Sequence, residues 1–156
     1  MPAMANPMPV ATEPSDEAAC FVHAFAEFWN RPTLEGFRAL MHPDVRLIQP
    51  LAPPAQGIEE AGAWFAGIQD LLPDIRIDVQ GWSGTPEALF IEWTASATFG
   101  GKPVRWNAVD RFRLEGGRVR ERVAYFDALP LVGTILSRPA GWPHALRVRL
   151  APRRTG

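Results

Sequence analysis

Few side chains in this sequence are equipped for chemistry, and that scarcity narrows the options. His23, His42 and His144 stand at no mutually useful spacing, and Cys20 is the only cysteine, so neither a nucleophile with its base nor a set of metal ligands emerges. No metal and no cofactor is expected. The residue of most interest is Asp110, in the stretch WNAVDRFRLEGGRVRERVAYFD, because Glu115-Gly116-Gly117 folds that stretch into a hairpin. Read as a three-residue loop with glycine in the left-handed position, the turn pairs Leu114 with Arg118 and sets Asp110 opposite Arg122. The same register places Arg111 against Glu121 and Val109 against Val123 on one face, and Phe112 against Arg120 and Ala108 against Ala124 on the other. Both faces are then compatible in charge.

Side-chain alternation puts Trp106, Ala108 and Asp110 on one face, and Phe126 joins them from the next strand. Apolar surroundings penalise a charged carboxylate, which suits a group that gives or takes a proton. A close Arg122 would instead make a structural ion pair. Both readings stay open on the residues alone. Gln49 has the parity of Leu47 and either reaches the same cavity as a hydrogen-bonding amide or makes a contact at the strand end. Phe25, Trp64 and Trp93 serve equally as core or as ligand wall, and the small Ala95, Ala97 and Ala108 beside them point to retained space. The candidate site is therefore Asp110 and Gln49 for chemistry, with Phe25, Leu47, Trp64, Trp93, Trp106, Arg122 and Phe126 against the substrate.

The elements that must position these residues are legible from periodicity. Residues 1–14, with four prolines, read as a flexible leader. Ser15 is a plausible N-cap, and Ala18, Phe21, Val22, Phe25, Phe28 and Trp29 recur at helical spacing. Thr33 caps a short second helix whose Phe37, Leu40 and Met41 share a face before Pro43. A strand at 45–49 and a proline-rich turn (PLAPPAQG) lead to a third helix marked by Ala61, Trp64, Phe65, Ile68 and Leu72. From Ile75 the period changes to two, with strands near 75–80, 88–99, 103–114 and 118–127 and turns at 83–86, 100–103 and 115–117. An apolar stretch, Leu129 to Leu136, precedes a tail at 139–156. This order predicts an α+β fold, a cone in which helices pack on a curved antiparallel sheet, with the domain at 15–138. The open end of such a cone is where a ligand goes.

Composition removes other classes of function. Sixteen Lys and Arg against seventeen Asp and Glu give a net charge of −1, with no footprint for nucleic acid, and the arginines 147, 149, 153 and 154 read as a solvated tail. No apolar run approaches the roughly 20 residues of a membrane span, so a cytoplasmic protein without membrane partners is expected. Six Trp and nine Phe stand against a single Tyr, Tyr125, whose parity points it away from the cavity. That outer face mixes Val109, Val123 and Tyr125 with Arg111 and Glu121, a candidate homodimer interface.

Three segments, FWNRPTLEGFRALMHPDVRLIQP, the PLAPPAQG turn and VDRFRLEGGRVRERVAYFDALPLV, resemble the nuclear transport factor 2 superfamily, in particular its SnoaL-like, ketosteroid isomerase and limonene epoxide hydrolase branches. The resemblance spans about residues 16–138. It implies that Asp110 matches the protonated aspartate of the isomerase oxyanion hole. The isomerase's general base falls on Gln49 and its tyrosine on Phe25, neither of which performs that role. The hydrolase's Arg-Asp-Asp set falls on Ile91, Trp93 and Ala124, and its water-holding Tyr and Asn on Leu47 and Gln49. The likeness is thus greatest to the SnoaL-like branch, which implies cofactor-independent isomerase, lyase or cyclase chemistry on an apolar polycyclic or terpenoid-like substrate. The alternative is a non-catalytic module that binds an apolar ligand or a partner protein.

Overall fold

The computed structural model describes residues 15–143; the expected leader, His144 and the arginines of the tail lie outside the described residues. Helix α1 (Asp16–Asn30) starts where Ser15 Oγ accepts from the Ala18 N–H at 3.2 Å, and it buries Ala18, Phe21, Val22, Phe25 and Trp29. Helix α2 (Leu34–Leu40) is capped by Thr33 and buries Phe37. Helix α3 (Gly57–Leu71) buries Ala61, Gly62 and Phe65, and Phe65 stacks on Phe37 with ring centres 4.5 Å apart. An unbroken series of rings, Phe21, Phe25, Trp29, Phe65 and Phe37, joins the helices into one layer. Phe112 ties that layer to the sheet, its ring 5.3 Å from Phe21 and 5.5 Å from Phe25.

Six strands make the sheet: β1 (Met41–Ile48), β2 (Ala55–Gln56), β3 (Arg76–Thr85), β4 (Ala88–Phe99), β5 (Lys102–Glu115) and β6 (Arg118–Tyr125). Their order across the sheet is β2-β1-β6-β5-β4-β3. The α+β cone expected from the sequence is the fold observed, with one correction of topology: β1 runs parallel to β6, so the sheet is mixed. Strand β1 also begins at Met41, ahead of the expected Val45, because the residue before Pro43 is barred from helix and continues extended. Pro43 is accommodated where the β1 and β6 register shifts between Met41 and Arg46. Strand β3 runs on to Thr85, past the turn expected at 83–86, and the chain reverses at Pro86 and Glu87.

The β5–β6 hairpin departs from the expected register by two residues. Gly116 and Gly117 both have positive φ, +58° and +74°, as a two-residue type I′ turn requires, so Glu115 rather than Leu114 pairs with Arg118. Arg120 is then bulged, and Phe112 faces Arg122, Asp110 faces Ala124 and Val109 faces Tyr125. Beyond the bulge the shift is two, so Glu121, Arg122, Val123 and Ala124 keep their expected faces, whereas Val119, expected opposite Arg113, pairs with Leu114 and is fully buried. A second bulge at Gln80 turns Trp82 inward, opposite Ile91, where uninterrupted alternation would have placed Gly81. After β6, helix α4 (Ala128–Leu136) begins at the Asp127 cap, and Arg138 Nη1 donates to the carbonyls of Lys102 and Pro103 at 3.2 Å, fastening this segment to the β4–β5 turn.

Gly84 combines φ +114° with a backbone so close that a Cβ would lie 2.0 Å from the Ala88 oxygen. Gly116 has open space around it. Gly84→Ala is therefore expected to cost about 2 kcal/mol or more, and Gly116→Asn less than about 0.5 kcal/mol, in urea unfolding. Equal midpoints for the two variants would refute this account of the hairpins.

Candidate functional site

Asp110 lies on the inner face of β5 with 1% of its surface exposed. Its immediate sheet neighbours are Ile91 on β4 and Ala124 on β6, neither of which offers a polar atom from its side chain. What it does meet is Arg122, one step along β6. The guanidinium donates through Nε to Oδ2 at 2.7 Å and through Nη2 to Oδ1 at 3.1 Å, a two-pronged contact with 13% of the arginine side chain exposed. Both carboxyl oxygens thus act as acceptors, which is the geometry of a carboxylate and differs from the hydrogen-bond-donating acid implied by the isomerase resemblance. The expected pair exists, reached diagonally rather than directly across the strands. Trp64 of α3 completes the arrangement, its ring centre 5.4 Å from the Arg122 guanidinium carbon. Leu47, fully buried, stands beside Arg122 in the β1–β6 register.

Gln49 follows the end of β1. Its Nε2 donates to the Pro53 carbonyl at 3.3 Å, and because a carbonyl only accepts, this contact fixes which way the amide points. The strand-end contact contemplated from the sequence is thus present in the proline-rich turn, and Oε1 is buried with no partner among the described residues. On the far side of the sheet Trp93 of β4, 3% exposed, pairs with Ala108 on β5 and Val79 on β3. Trp106 and Phe126 are half-buried against the core. Phe25 belongs to the ring layer between Phe21, Trp29 and Phe112. The structure therefore brings Asp110, Arg122, Trp64 and Leu47 together, and it assigns Phe25 to the packing behind them.

Two further residues escaped sequence reading. Phe112 sits opposite Arg122 and joins the pair to the helix layer, and only the correct hairpin register reveals it. Ala124, opposite Asp110, presents only a methyl group beside the carboxylate. Elsewhere, a groove of about 450 Å³ between the end of α3 and the β4–β5 turn is lined by Leu71, Pro73, Thr98, Phe99 and Gly141 and holds no ionisable side chain. Among the described residues no cluster of His, Cys, Asp and Glu is arranged to hold a metal, and no helix is long and apolar enough to cross a membrane. His23 faces Glu27 at 3.3 Å in solvent, and His42 Nδ1 accepts from the Asp44 N–H.

The fold and this buried pair define a class, the small α+β cones that enclose one acidic residue. Residues 22–122 match the SnoaL-like domain, and the chain belongs to that family. No curated protein matches it in sequence. Among solved structures, a SnoaL-like polyketide cyclase assignment from Jannaschia sp. CCS1 superposes with a TM-score of 0.69 at 19% identity, covering 86% of this chain and 99% of that one. TerC, crystallised with polyporic acid, gives 0.70 at 17% identity over 78% of this chain and 99% of its own. An epoxide hydrolase from M. tuberculosis gives 0.65 at 17% identity, covering 78% and 91%. At such identities the likeness is one of fold.

Removing one member of a buried ion pair strands the other in a medium that solvates it poorly. Arg122→Met is expected to destabilise the protein by roughly 3–5 kcal/mol, and adding Asp110→Leu to recover most of that loss. Chemical unfolding of the single and double variants checks this; equal stability of wild type and Arg122→Met would show that the pair is not held in solution.

Proposed function

We propose that this chain is a SnoaL-like enzyme carrying out cofactor-independent acid/base chemistry, of the isomerase, lyase or cyclase kind, on an apolar polycyclic or terpenoid-like substrate held in the aromatic cone. The observation that supports it is a carboxylate, Asp110, buried among apolar side chains on the inner face of β5 of a SnoaL-like domain. Arg122 occupies two of the roughly four lone-pair sites of the carboxylate, so a proton can still be received. In this reading Asp110 takes a proton from carbon next to a substrate carbonyl. The C–H electron pair moves into the carbon framework and the carbonyl oxygen takes up the negative charge. Returning the proton at another carbon isomerises the substrate; alternatively the activated carbon attacks a second carbonyl of the same molecule, whose C=O π bond breaks and whose oxygen takes the proton back from Asp110, closing a ring. Arg122 holds the carboxylate in place, Gln49 orients a polar group of the substrate, and the half-buried Trp106 and Phe126 are the rings that a substrate displaces on entry.

A single positioned base contributes about 10²- to 10⁴-fold in rate. Exchange of the acidic carbon-bound protons of polycyclic ketones into deuterated water, followed by NMR, should therefore fall by that factor in Asp110→Asn while the circular dichroism spectrum is kept. Undiminished exchange in the variant sinks the catalytic reading. The second reading, a non-catalytic module for an apolar ligand or partner, is favoured by the commitment of both Asp110 oxygens to Arg122. It requires wild type and variant to bind alike and neither to accelerate exchange.

The protein is further proposed to act as a homodimer through the outer sheet face. There Phe90, Arg111 and Val123 form one row and Glu92, Val109 and Tyr125 the next. Phe90 and Tyr125 are 40% and 53% exposed, and an Arg111–Glu121 hydrogen bond of 2.9 Å lies among them. Sedimentation at micromolar concentration should give twice the chain mass, and Tyr125→Glu should reduce it to one. A monomeric wild type counts against this interface.

A further inference from the structure

We propose that Trp93 is a ligand-recognition residue whose indole N–H donates to an oxygen of the bound molecule, on the wall of the cone opposite Gln49. This rests on reading the cone as a small-molecule site. Trp93 is 97% buried by its 3% exposure, yet its Nε1 has no hydrogen-bond partner among the described residues. Its cross-strand neighbours, Val79 and Ala108, and its inward neighbours on β4, Ile91 and Ala95, bring no polar atom from their side chains. A buried donor left unmet lowers stability, and phenylalanine would fill most of the same space without that defect. Trp142 shows the ordinary solution, its Nε1 donating to the Ile135 carbonyl at 2.7 Å. Trp29 also carries an unmet Nε1, but its ring lies in the helix layer between Phe25 and Phe65, away from the sheet wall.

The partner of Trp93 in this role is Gln49 Oε1, an unmet acceptor. Between β1 and β4 the sheet places only β6 and β5, whose inward residues at this level are Ala124, Ala108 and Asp110. Two walls thus offer opposite hydrogen-bonding capacities, separated by about three strand spacings of 4.8 Å along a curled sheet. A molecule that meets both carries an acceptor oxygen at one end and a hydroxyl at the other. Its middle is an apolar ring frame lying over the two alanines, with Asp110 beneath. The substrate class becomes a ring system oxygenated at opposite ends.

The test uses a biphenyl with a para hydroxyl on one ring and a para acetyl on the other, beside the two analogues that lack one group each, measured by calorimetric titration. Wild type is expected to bind the doubly substituted compound roughly five- to tenfold more tightly than either analogue. Trp93→Phe should lose the preference for the acetyl group and keep that for the hydroxyl; Gln49→Leu should do the reverse. Independently of folding of the variants, the Trp93 indole proton of wild type should move downfield in NMR with the acetyl-bearing probe and not with the analogue lacking it. Binding without acetyl preference, or with an unmoved indole proton, overturns the role of Trp93 and leaves the cone as a ligand site. Failure of wild type to bind any of the three overturns both.

Discussion

The Asp110–Arg122 contact is the constraint on which the rest of the molecule is arranged. Two opposite charges withdrawn from water are tolerable only if their geometry is close and nearby atoms do not compete. That requirement explains several otherwise separate features. Ile91 and Ala124 keep polar side chains away from the carboxylate, Leu47 seals the arginine on the β1 side, and Trp64 gives the guanidinium an aromatic face in place of solvent. Phe112, opposite Arg122, then connects this polar centre to the series of rings that holds the helices. The charged pair and the aromatic layer are consequently two sides of one packing arrangement.

How much of this the sequence discloses depends on which physical signal each feature uses. Helix α1 was legible because capping, first-turn acidity and apolar spacing agree at Ser15, Asp16, Glu17 and Phe21. The inward faces of β4 and β5 were legible because alternation depends only on parity. The register of β5 against β6 was not, since a tight glycine turn shifts the pairing by one at Val119 and a bulged residue makes it two from Glu121 onward, where the expected faces return. Asp110 and Arg122 were therefore expected together for a reason that was only partly right: they share a face but meet on a diagonal. Local signals miss what is set by distant strands, such as the parallel pairing of β1 with β6, the two-residue strand β2, and the bulge at Gln80 that brings Trp82 inward.

The family resemblance carried the fold and left the chemistry to individual positions. Where relatives are implied to use a tyrosine or a second acid, this chain has Phe25, Leu47, Gln49, Trp93 and Ala124. These replacements do not produce a uniformly apolar interior. They leave one charged pair, one amide acceptor and one indole donor, each on a different strand or strand end. In the proposed role, a cone with so few polar atoms would select ligands by where oxygens sit on an apolar frame more than by charge.

Glu17, in the first turn of α1, accepts a hydrogen bond from the Gly117 N–H of the β5–β6 turn, a contact across 100 residues of sequence. During synthesis the helix that supplies Phe21 and Phe25 is thus made about 100 residues ahead of its sheet partner. At about 5 to 20 residues per second, that interval is on the order of 5 to 20 s. The apolar side of α1 spends it without Phe112 or the hairpin that anchors its start. The fold is therefore assembled late and from distant parts, as expected of a topology rich in nonlocal contacts. A chain interrupted before the second hairpin strand would leave the aromatic side of α1 without its anchoring hairpin, making completion of β6 the step that fastens the helix layer to the sheet.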